Sequence, residues 1–61
     1  MYNTGFDFFR DLCVMFGREK ALAMGNEYLT LQENDDRATG RFKNDPEEFQ
    51  FCKELYHAMK A

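Results

Sequence analysis

The chain has 61 residues, enough for one small domain (1–61) whose core is expected to give only marginal stability. It is 44% hydrophobic, 31% charged and 16% aromatic, a balance that excludes a polar disordered chain. Eleven acids against eight bases leave a net charge of −3, which provides no general attraction for nucleic acid, and no apolar run approaches the roughly 18 residues of a membrane span.

The N-terminal MYNTGFDFF has neither the basic start nor the apolar stretch of a signal peptide, so a cytoplasmic location is expected. Cys13 and Cys52 are too few for a disulfide scaffold and form no CxxC pair. Both are expected to act as small buried hydrophobes, with a bridge left open should the first and last helices touch.

The first element is a helix at about 4–16. Successive 100° steps put Phe6, Phe8, Phe9, Leu12, Cys13, Met15 and Phe16 on one half of the wheel, with Val14 as the apolar exception on the other. Thr4 is placed to cap it, Asp7 sits three residues on, and Gly17 is a natural stop. A single helix running through Gly17 would swing its apolar stripe by nearly half a turn, so a corner is expected at Gly17-Arg18.

A second helix at about 18–33 gathers Ala21, Leu22, Met24, Gly25, Tyr28, Leu29 and Leu31 on one side, with Gln32 alone misplaced. Gly25 costs about 1 kcal/mol relative to Ala inside a helix, and its place on the stripe points to a neighbouring helix approaching closely. The competing architecture is α+β, with a hairpin at about 28–43 that sets Leu29 opposite Phe42. Tyr28 breaks the alternation that this hairpin needs. Residues 34–44, NDDRATGRFKN, show no stripe and read as a polar loop with Phe42 turned back onto the core.

The third helix, at about 45–60, has the clearest start. Asp45 is the cap, Pro46 takes the first helical position, and Glu47 and Glu48 suit the positive end of the dipole, with Glu48 in the capping-box position. Phe49, Phe51, Cys52, Leu55, Tyr56 and Met59 then share one face. The expected fold is all-α, a small three-helix bundle.

Functional constellations are scarce. A helix-turn-helix reading fails because the polar face of the second helix carries Glu19, Glu27 and Glu33, which phosphates would repel. A calcium loop starting at Asp35 would put Arg37 and Pro46 at ligand positions. His57 is the one histidine, too little for zinc at usable spacing. Both cysteines lie on apolar stripes with no base nearby, and no phosphate loop or paired-carboxylate cleft can be assembled. No enzyme, metal or cofactor is therefore expected.

The more informative feature is surplus. Each apolar arc spans about half the wheel, wider than the roughly 100° that a surface helix buries. Phe8, Met15 and Phe51 lie at arc margins and are expected to stay partly exposed as anchors for another chain. Glu33, Asp35 and Asp36 crowd what is expected to be a helix C-terminus, where acids give no folding benefit, and are assigned to a basic partner surface.

The expected function is non-enzymatic protein binding by steric occlusion. Size and charge fit a phage-type inhibitor, anti-CRISPR-like or aimed at another nuclease or defence protein, whose target offers a basic nucleic-acid groove. The alternatives are a small nucleic-acid-linked regulator using Arg37, Arg41 and Lys43, and a homodimeric structural accessory subunit. Direct nucleic-acid binding and a membrane role are not expected.

Overall fold

A computed structural model describes residues 4–40 and 44–61. Three helices, α1 (Gly5–Phe16), α2 (Arg18–Thr39) and α3 (Pro46–Lys60), form a bundle of 32 × 20 × 20 Å, with no strand among the described residues. The hairpin architecture is thereby excluded: 28–33 is continuous helix, as are 38 and 39. Residues 41–43, including Phe42, lie outside the described residues.

Local chemistry sets the helix ends. Thr4 Oγ1 accepts the Asp7 N–H at 3.1 Å, which satisfies one of the orphan donors of the first turn. At Gly17 the backbone takes φ 89°, which a side chain disfavours, and its N–H closes α1 on the Cys13 carbonyl at 2.9 Å. The chain then turns straight into α2. Asp45 Oδ1 accepts the Glu48 N–H at 3.1 Å with Pro46 inside the start of α3. The Glu48 carboxylate is used across the helix seam, where its Oε1 accepts the Tyr28 hydroxyl at 2.7 Å.

The expected loop at 34–44 is corrected: residues 34–39 are the last turns of α2. Three local contacts carry the helix on without an apolar stripe. Arg37 pairs with Glu33 one turn back at 2.8 Å, the Thr39 hydroxyl donates to the Asp35 carbonyl at 2.8 Å, and Gly40 in the left-handed region caps the Asp36 carbonyl at 2.7 Å. Glu33 is consequently not terminal, while Asp35 and Asp36 occupy the final turns.

The core is small. Phe9, Leu12, Ala21, Cys52 and Leu55 are buried, with Phe8, Leu22, Tyr28, Leu29 and Met59 packed partly against them. α1 docks on α3 through Gly5. A Cβ there would collide with the Phe51 carbonyl oxygen and come within 2.9 Å of Glu54 Cβ, so the glycine lets two backbones touch. The Gly5 N–H also donates to Glu54 Oε1 at 3.0 Å. At the other end Arg18 donates to the Ala61 carbonyl at 3.0 Å. Gly25 is buried as well, but a side chain approaches it rather than a backbone: Met59 Sδ lies 2.6 Å from where a Cβ would be. Cys13 and Cys52 are not joined in a disulfide.

Candidate protein-docking surfaces

Two surfaces sit on opposite sides of the α2/α3 pair. The first is on the α1 side. Phe8, Tyr28 and Phe51, one from each helix, form a ring triad with centroids 5.5–5.9 Å apart in tilted and edge-on orientations. All three rings are half-buried. Leu31, three residues on from Tyr28 and on the same flank of α2, is 59% exposed. Asp35 follows one turn later. The structure thus joins Phe8 and Phe51 of the sequence-derived set through a ring that the sequence did not nominate, Tyr28.

The other sequence-derived residues are scattered. Met15 is 65% exposed near the end of α1, beside Val14 at 80%. Asp35 and Asp36 are half-buried at the end of α2, while Glu33 is exposed and held by Arg37. Together with Asp45, Glu47 and Glu48 these carboxylates concentrate where α2 ends and α3 begins.

The second surface is a groove of about 290 Å³ lined by Leu29 and Glu33 of α2 and by Phe49, Cys52, Lys53 and Tyr56 of α3. Helical spacing explains its place. Gly5 of α1 packs against Phe51, Glu54 and Leu55, whereas Phe49, Lys53 and Tyr56 follow a stripe rotated well over 90° from that face. The groove therefore opens away from α1. Its walls are half-exposed aromatic side chains, Phe49 at 51% and Tyr56 at 48%. Lys60 lays its ammonium over the Tyr56 ring, 4.7 Å from the centroid. Phe49 and Tyr56 belong to the apolar arc of the third helix, but arc membership alone does not reveal which margin the bundle leaves open.

Among the described residues, no cluster of three or more His, Cys, Asp or Glu is placed to hold a metal ion, and no helix is long and apolar enough to cross a membrane. The Gln32 side-chain oxygen is buried without a hydrogen-bond partner, the cost of a polar residue on the apolar side of α2. Comparison with protein-family models, with curated proteins and with solved structures finds no match for this chain. The functional reading therefore rests on the two surfaces alone.

Proposed function

We propose that this chain is a non-catalytic protein-binding module that acts by covering a basic surface of another protein. The supporting observation is the exposed apolar patch on the α1 side, where Leu31 stands beside the Phe8–Tyr28–Phe51 triad and next to the acid-rich end of the bundle. Apolar anchors bordered by carboxylates suit a partner whose own surface combines apolar contacts with Lys and Arg. Such surfaces line the nucleic-acid grooves of nucleases, so the finer reading is a cytoplasmic inhibitor of the phage type, anti-CRISPR-like or directed at another defence nuclease. It rests on size, charge and surface character.

The test is capture from nuclease-treated host lysate by the native chain and by a variant carrying Leu31→Lys. The reading expects one protein to be retained by the native chain, released by raised salt, and lost by the variant at unchanged helicity. Equal retention by the variant would contradict it. So would salt-sensitive binding of the purified chain to DNA or RNA, which would favour a nucleic-acid-linked regulator.

A further inference from the structure

We propose that the groove between α2 and α3 is closed by a second copy of the same chain, packed about a two-fold axis parallel to the helices. This inference does not depend on the binding function above, because the groove and the Phe8 triad face opposite ways.

The pattern of charge on the two rims carries it. The groove-lining residue of α2 that bears charge is Glu33, and that of α3 is Lys53. Seven-residue steps, which keep to one side of a helix within about 20°, extend both rims: Glu19, Asn26 and Glu33 along α2, Lys53 and Lys60 along α3. Glu19, Glu33, Lys53 and Lys60 are all exposed. Arg37, one turn beyond Glu33 and paired with it, lies on the same side of α2, so that rim is acidic by a single net charge while the other is basic.

A face-to-face pair of copies has two two-fold options. An axis across the groove lays α2 on the partner's α2 and sets acid rim against acid rim. An axis along the groove lays α2 on the partner's α3 and sets acid rim against basic rim, twice over. The second opposes net acid to base along the whole seam, whereas the first opposes like net charges except where Glu33 meets Arg37.

Register agrees with this choice. Gly25 lies at Met59 and Tyr28 reaches Glu48, so Glu33 is level with Phe49, about one helical turn from Lys53. Two long side chains span that offset. The exposed Glu33–Arg37 pair, whose side chains are mostly in water, is no obstacle to a shared contact.

The apolar strip between the rims supplies the burial. Phe49 and Tyr56 stand seven residues apart on one stripe and would cover the partner's Leu29, and they in turn would leave water.

Sedimentation equilibrium over a dilution series tests this, with far-UV circular dichroism confirming that each variant folds. The native chain is expected at twice its 7.3 kDa mass. Glu33→Lys alone and Lys53→Glu alone are each expected to weaken the dimer by about tenfold or more, because each occurs at two symmetric contacts. The double swap E33K with K53E is expected to recover to within about threefold of native, since it restores opposite charges across the seam. Tyr56→Lys gives a folded monomer. A native chain that is monomeric throughout overturns the proposal. So do single reversals that leave dimer affinity unchanged, and a double swap as weak as the two singles combined.

Discussion

The third helix meets its two neighbours in different ways. Against α1 it is closed down to backbone, with Gly5 admitting the Phe51 carbonyl and its own N–H tied to Glu54. Against α2 it is held apart by side chains, with Met59 over Gly25, Tyr28 reaching to Glu48, and an open groove beyond. A seam between backbones is specified by what is missing, a Cβ, and tolerates no addition. A seam between side chains can adjust, and its unfilled side is available to another chain. In so small a protein the first kind of contact holds the fold, and the second leaves surface for binding.

Four substitutions probe that contrast. The largest effect is expected at Leu55, which is fully buried where all three helices meet. Leu55→Ala should cost about 2–5 kcal/mol, comparable with the whole stability of a domain this size, and leave the chain largely unfolded at 25 °C by circular dichroism. Removing a cap is next: Asp45→Ala should cost about 1 kcal/mol in urea denaturation with an unchanged m-value. Tyr28→Phe removes the hydroxyl that joins α2 to α3 through Glu48 and should cost about 0.5–1.5 kcal/mol. Smallest is Arg37→Ala, which breaks an exposed i,i+4 pair in the last turns of α2 and should cost about 0.3–0.5 kcal/mol, with fraying confined to 34–39 by hydrogen exchange.

Much of the fold was legible because its signals are local. Thr4, Gly17, Asp45 and Pro46 each act within one turn of their own position, so the three helices and the corner could be read from spacing. The end of α2 was misplaced because its last turns bury little and are held by Glu33 with Arg37 and by the Gly40 cap. Both signals were present in ENDDRATG, but they were outweighed by the missing apolar stripe.

The candidate surfaces were less legible. Arc width showed that apolar groups would be left over. Which groups stay exposed depends on where α1 crosses the α2/α3 pair, and that depends on Gly5, whose significance lies in residues some fifty positions away. Hence Phe8 and Phe51 turn out half-buried against Tyr28, while Phe49 and Tyr56 stand more exposed on the far side.

The two glycines test the difference between the seams most directly. Gly5→Ala and Gly25→Ala add the same methyl group, one against backbone and the other against the mobile end of Met59. Urea denaturation of the two variants side by side should show Gly5→Ala destabilised by about 2–3 kcal/mol through overpacking. Gly25→Ala should stay within about 1 kcal/mol of native, as the gain in helix propensity offsets the displacement of Met59. A Gly25→Ala loss equal to or larger than that of Gly5→Ala would contradict the account.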